Sequence, residues 1–394
     1  LENFEKVIIP RFKYAYSLKD VFVGVKNVIR DRKVAVPVFH ALFPEAEIHL
    51  TESAASGIKY ALEGLGLKKN AHIGVQPYTC SSVLGAIAAA GFTPFFIDIN
   101  QNLSLNTQAL KSKVAHIDAL IVTHMFGFPA DIAGIKAIVP HLPVIEDCAH
   151  ALFSQYEHRS VGVFFDAAVF SFGNGKFPSL GGGGMLVINN PSLNERIKER
   201  LLILPRPTLL QELKQIVKSY AKAVMYAPLL QWMINKMLSE HYLNNRNKTI
   251  ISRGNQEFNI YKSIELSLPV KLEEAQKNAV VQNENGTSLA QMLWRNYEFL
   301  TPDQNKVNYF AFVLIEEERD RLGRYLKGRG IMSGKHFQHA LAWAMAYGYV
   351  PGSCPVFEEK VNQILTIPCN YGVSKRDLNR IAHYLLEFRK LNPQ

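Results

Sequence analysis

Ala167-Ala168-Val169-Phe170-Ser171-Phe172-Gly173-Asn174-Gly175-Lys176 is an apolar strand run that ends in a glycine-rich turn, and Gly181-Gly182-Gly183-Gly184 follows it. Upstream, Val144-Ile145-Glu146-Asp147-Cys148-Ala149-His150 is an apolar strand that ends in acid. The two stretches set a carboxylate at the end of one strand and an amine just past the end of another. Around them, from about residue 48 to 190, strand and helix alternate. Strands are expected over 72–75, 94–98, 119–123, 142–145, 167–172 and 185–188. Helices are expected over 58–65, 82–90, 106–114 and 131–139, the last capped by Asp131. Short strands that are apolar on both faces, separated by helices, predict an α/β fold with a mostly parallel central sheet flanked by helices. Ligands of such sheets gather at the carboxyl ends of the strands. Asp98, His124, Asp147 and the Ser171–Lys176 turn all fall there.

The chain has 394 residues, 48% hydrophobic and 20% charged, enough for a substantial core in two or more domains. No run reaches the ~18 apolar residues of a membrane span. The N-terminus carries Glu2 and Glu5 and lacks a signal-peptide pattern, so a cytoplasmic location is expected. Cys80, Cys148, Cys354 and Cys369 are far apart, with neither zinc-ligand spacing nor a disulfide framework. No metal is expected. The net charge of +10 would suit anionic substrates, nucleic acid or a membrane surface. No zinc-finger or RNA-binding signature accompanies it, so nucleic acid is not expected as a partner.

Residues 1–194 are expected to form a large α/β domain, 195–253 a basic helical insert and 254–394 a smaller α+β domain. Within the insert, Leu213, Ile216, Val217, Tyr220 and Val224 make an apolar stripe, and Lys214, Lys218 and Lys222 a basic one. Pro228 should break this helix, a second should run over 229–238, and 244–248 reads as a loop. A basic amphipathic segment over 211–238 is compatible with weak contact to an anionic membrane surface. The alternative is a helical cover over the active site or a dimer interface. Further on, helices are expected over 272–283, 316–327 and 375–386, and a strand over 308–314.

A neutral lysine amine can bond to an aldehyde cofactor, but free lysine has a pKa near ~10.4 that burial or nearby positive charge must lower. Lys176, in its glycine-rich turn, is the candidate; an ordinary surface lysine is the plain alternative. Asp147 would face a protonated pyridine nitrogen, as pyridoxal phosphate (PLP) requires, or would cap a helix. His150 could donate to a phenolic oxygen or serve structure alone. Ser53, Ala54 and Ala55 open a helix where amides could hold phosphate, and Ser171 could add a hydroxyl. Ser53 as a simple helix cap explains the same residues.

Taken together these residues resemble the DegT/DnrJ/EryC1/StrS family, sugar aminotransferases of PLP fold type I. The matching stretches are Gln76-Pro77-Tyr78-Thr79-Cys80, Gly91-Phe92-Thr93-Pro94 with Asp98, and His124-Met125-Phe126-Gly127. Then come Ile145 to His150, Val161 to Asp166, Phe170 through Lys176 to Met185, and Leu365-Thr366-Ile367-Pro368. The resemblance implies PLP as cofactor, with Lys176 its covalent partner and the general acid/base. It places Asp147 at the pyridine nitrogen, His150 near the phenolic oxygen, and Ser171 with Ser53-Ala54-Ala55 at the phosphate. Cys80 stands where the family carries an aromatic on the ring. Family members are homodimers with the site at the subunit interface. The Ser-Gly-Thr phosphate turn is Ser53-Ala54-Ala55 here, and Ser267-Leu268-Pro269-Val270 stands where the partner's Asn-x-Arg is expected. Asn244, Asn245 and Arg246 of the insert are candidates to replace those phosphate ligands. The expected reaction is transfer of an amino group, with glutamate the expected donor, to a nucleotide-linked keto-sugar for cell-surface polysaccharide or secondary metabolites. The rival expectation is a PLP-binding scaffold of the same family that acts through partners.

Overall fold

The computed structural model describes residues 8–29, 37–227, 230, 257–302 and 305–392. Its main sheet has the order β1-β9-β8-β5-β4-β2-β3. These strands are β1 (Glu47–Thr51), β2 (His72–Val75), β3 (Thr93–Phe96), β4 (Ala119–Thr123), β5 (Val144–Asp147), β8 (Ala167–Ser171) and β9 (Gly184–Ile188). The run from β8 to β3 is parallel throughout, and β9 alone opposes both of its neighbours. The expected mostly parallel sheet is therefore the observed one. A small ribbon, β6 (Gln155–Tyr156) with β7 (Arg159–Ser160), projects from it. A second, antiparallel sheet joins β10 (Glu298–Phe299), β11 (Phe312–Ile315) and β12 (Ile364–Ile367).

Both faces of the central strands are covered, as their apolar runs require. Ile121, Ile145 and Val169 pack with Ile58 and Leu62 of the helix Ala54–Gly64. Leu120, Val122 and Val144 pack on the other face with Ile135 of the helix Ile132–Ile138. Each such side chain contributes roughly 1.5–3 kcal/mol of burial.

Several boundaries differ from those expected. β5 begins at Val144 and runs to Asp147, because Asp147 pairs with both Thr123 and Val169. The helix expected from 58 starts at Ala54, because the Ser53 hydroxyl caps it, accepting from the Ser56 amide at 3.1 Å. The helix expected over 272–283 spans Leu268–Leu293. Its polar Gln282 and Asn285 are buried but bonded, donating to the Asn308 and Asn370 carbonyls at 2.8 and 3.1 Å. Elsewhere β11 replaces the longer strand expected over 308–314, and the helix expected from 316 spans Arg319–Gly328. Glu316 is instead buried against Arg389 at 2.6 Å.

The described part of the basic insert is helical, as expected. Its helix Leu209–Met225 opens with a capping box of Thr208 and Gln211. Of the expected apolar stripe only Ile216 is buried; Glu212, Gln215 and Ser219 are buried with it. The polar residues go inside because they have partners there. Glu212 accepts from the Lys262 and Ser263 amides, and Gln215 Nε2 donates to the Gly181 carbonyl at 2.9 Å. Gly181 has a positive φ of 88°, and a Cβ on it would collide with Ser219. The break at Pro228, the helix over 229–238 and the loop over 244–248, with Asn244, Asn245 and Arg246, lie outside the described residues, Leu230 apart.

Candidate active site

A cavity of about 240 Å³ opens at the carboxyl ends of β5 and β8. Ser53, Ala54, Ala55, Cys80, Asp147, His150, Ser171 and Lys176 all line it. The structure thus brings these eight residues together, while Asn244, Asn245 and Arg246 lie outside the described residues. Asp98 and His124 do not join them. Asp98 accepts from the Val356 and Phe357 amides at 3.1 and 3.0 Å, capping the helix Pro355–Lys360. His124 is buried against Glu146 at 2.9 Å and accepts from the Ala130 amide.

Lys176 follows β8 through a turn closed by its own amide donating to the Gly173 carbonyl at 3.1 Å. Burial holds its amine below the pKa of an ordinary lysine, with Cys80 and Asp147 opposing that shift. Burial likewise pushes the Asp147 carboxyl up, with the Lys176 charge countering it. Asp147 Oδ1 accepts from the Ala149 amide at 3.1 Å. The pair is a buried acid and a buried base in one cavity, each made easier to neutralise.

His150 is buried in an aromatic wall. Its ring stacks on Phe310 at 4.1 Å and 7°, with Phe337 and Phe126 at 6.0 and 5.8 Å. Burial, Lys176 and Arg11 hold it well below the usual histidine pKa, which favours the neutral ring. The Phe126 amide donates to Nδ1 at 3.4 Å, which assigns the proton to Nε2. That Nε2 is buried without a partner, as is the Thr79 hydroxyl beside the same cavity.

The third wall is the start of the helix Ala54–Gly64. Gly184 lets β9 approach it closely, since a Cβ there would collide with the Ala54 amide nitrogen. Ser171 Oγ accepts from the Gly173 amide at 3.4 Å on the facing side. Helix-start amides and a hydroxyl make a seat for a phosphate dianion. Cys80 lies at the start of the helix Ser81–Ala89 and accepts from the Ser82 hydroxyl at 3.2 Å.

These donors and acceptors fit PLP. There is an anion seat at one end, an acid on the sheet edge, an unpartnered N–H on a flat aromatic stack, and an amine of lowered basicity. Sequence reasoning missed Thr79, Thr123, Phe310 and Phe337. Thr79 and Thr123 sat in stretches already noted. Phe310 lay inside an expected strand, and Phe337 carried no local signal.

Comparison with known proteins follows the same line. Residues 39–218 match the DegT/DnrJ/EryC1/StrS aminotransferase family. GDP-perosamine synthase of Escherichia coli O157:H7 is 34% identical over 140 residues, 34% of this chain and 38% of that one. The chain thus matches less than half the length of that relative. The erythromycin biosynthesis sensory transduction protein EryC1 of Saccharopolyspora erythraea is 24% identical over 87% of this chain and 86% of its own. Among solved structures, the sugar aminotransferase CalS13 from Micromonospora echinospora superposes with a TM-score of 0.75 at 19% identity, covering 96% of this chain and 100% of that chain. The fold is that of the PLP-dependent transferases of type I.

Proposed function

We propose, for a chain whose residues 39–218 match the DegT/DnrJ/EryC1/StrS aminotransferase family, that it is a PLP-dependent aminotransferase acting on a nucleotide-linked keto-sugar. The observation that carries this reading is the convergence of Lys176, Asp147 and the unpartnered Nε2 of His150 on one cavity. The relatives' names, one a GDP-sugar synthase and one an antibiotic-biosynthesis protein, support a sugar product for polysaccharide or secondary metabolites. An amino acid, with glutamate the first candidate, would supply the nitrogen.

Bound PLP supplies an electron sink that stabilises negative charge at the carbon losing a proton. Lys176 would hold the cofactor and, once released, carry a proton on Nζ between the two carbons that exchange it. Asp147 would keep its charge against the pyridinium nitrogen, an ion pair that offsets the cost of its burial. His150 would donate through Nε2 to the phenolic oxygen while its ring remains stacked on Phe310. The Ala54 and Ala55 amides with Ser53 and Ser171 would seat the phosphate. Cys80 leaves one side of the cavity open where a larger side chain would close it.

The domain division 1–194, 195–253 and 254–394, a homodimer with a shared site, and a cytoplasmic location belong to the same proposal. No helix among the described residues is long and apolar enough to cross a membrane. The test is spectral and catalytic together. The loaded protein should lose its visible absorbance on adding glutamate and regain it with a keto-sugar nucleotide. A Lys176→Ala variant should do neither. A loaded protein that never responds to any amino donor would favour the scaffold reading instead.

A further inference from the structure

The helix Leu18–Ile29 packs against the insert helix Leu209–Met225, with Gly24 against Ile216 and Tyr14 stacked on Tyr226 at 4.8 Å. Those two contacts give the sense: the chain just ahead of the first helix meets the C-cap of the second while their middles touch, so the helices run antiparallel. Both carry apolar residues on the side away from the core. Phe22 is 69% exposed and Ile29 79%; Leu210 is 61% exposed and Val217 64%. At about 100° per residue, these positions lie roughly 100–160° around from Gly24 and from Ile216, turning in the same sense along each chain. In an antiparallel pair that puts both arcs on one face.

Among the described residues of the two helices, the exposed charges are all of one sign. Lys19, Lys26, Lys214 and Lys218 are exposed along its margin. The acids of the two helices are turned inward: Asp20 pairs with Lys271 at 2.9 Å, and Glu212 is buried on Ser263. A second copy docked through the same face would set these lysines against their own kind. A phospholipid surface of negative charge satisfies both halves of the face, with acyl chains for the apolar residues and headgroups for the lysines. We propose that the paired helices Leu18–Ile29 and Leu209–Met225 form a docking face for an anionic membrane surface. This proposal is independent of the aminotransferase reading.

The test is sedimentation of the full chain with vesicles of phosphatidylcholine alone and of phosphatidylcholine mixed with phosphatidylglycerol. Retention is expected on the mixed vesicles only, and it should fall as salt rises. Lys214→Gln with Lys218→Gln should weaken retention by about tenfold or more, given the usual worth of a juxtamembrane lysine. Phe22→Ser with Val217→Ser should weaken it comparably, with the thermal transition of the free protein unchanged because both side chains are exposed. Equal retention on neutral vesicles, or none on either, would overturn the proposal. So would serine variants that bind vesicles normally, which would point to an acidic macromolecule, or variants that change the mass of the free assembly, which would make the face an interface between copies.

Discussion

Glu146 and Asp147 are neighbours on β5, and the pleat sends them to opposite faces of the sheet. Glu146 is fully buried and saturated: it accepts from the Gly162, Phe164 and Phe165 amides at 2.7, 2.9 and 3.2 Å and meets His124 Nε2 at 2.9 Å. Asp147 is nearly as buried, yet its one backbone bond leaves accepting capacity, and it opens on the cavity. Strand alternation separates a saturated acid from one that faces the cavity, across a single peptide bond. The difference lies in how many donors each carboxylate already has.

The largest expected effect falls on the structural side. Glu146→Ala strips four donors of their acceptor and should cost about 3–5 kcal/mol of stability, read by denaturant unfolding. The fraction that folds should still bind the cofactor. Asp147→Asn should behave the opposite way. Turnover is expected to fall by about a hundredfold or more, with unfolding midpoints unchanged or higher, because a buried carboxylate has been made neutral. If Glu146→Ala proved stable and catalytically dead, the contrast would fail.

A subtler effect concerns pH. The lowered basicity of Lys176 means that its neutral form appears earlier as pH rises. Cofactor capture, followed by stopped-flow absorbance, should accelerate with pH and level off below the 10.5 of an ordinary lysine. The smallest effect belongs to a third acid, Glu52, just ahead of the Ser53 cap. Burial, with Glu257 nearby, pushes its carboxyl up to about 7, and its Oε2 is buried without a partner. A folded-state pKa above the unfolded 4.5 favours the fold at low pH, and that gain is lost as pH rises through about 7. Glu52→Gln should therefore raise the melting temperature at pH 8 and leave it unchanged below the unfolded 4.5. Discounted for its partial exposure, the gain is about 1 kcal/mol or less.

The sheet was legible because β4, β5 and β8 are apolar on both faces, a pattern that leaves few alternatives. The reversed sense of β9 was not legible, since periodicity carries no direction. Lys176, Asp147 and His150 stood out because polar groups at or just past the ends of apolar strands need a purpose. Asp98 and His124 share that position but serve packing, and only their hydrogen-bond partners reveal it. Phe310 and Phe337 come from the far end of the chain, so nothing local marks them as the wall behind His150. The insert shows a different limit. Its apolar stripe at helical spacing marked a helix but not the face that packs: partners for Glu212, Gln215 and Ser219 draw the polar face inward and leave Val217 outside.

The most direct measurement is reduction of the PLP-loaded protein with borohydride, followed by proteolysis and mass spectrometry. The account predicts the cofactor's mass on the peptide containing Lys176, and its absence when Asp147 is changed to Ala and loading fails. Label on another lysine, or none on a protein that still turns over, would contradict it.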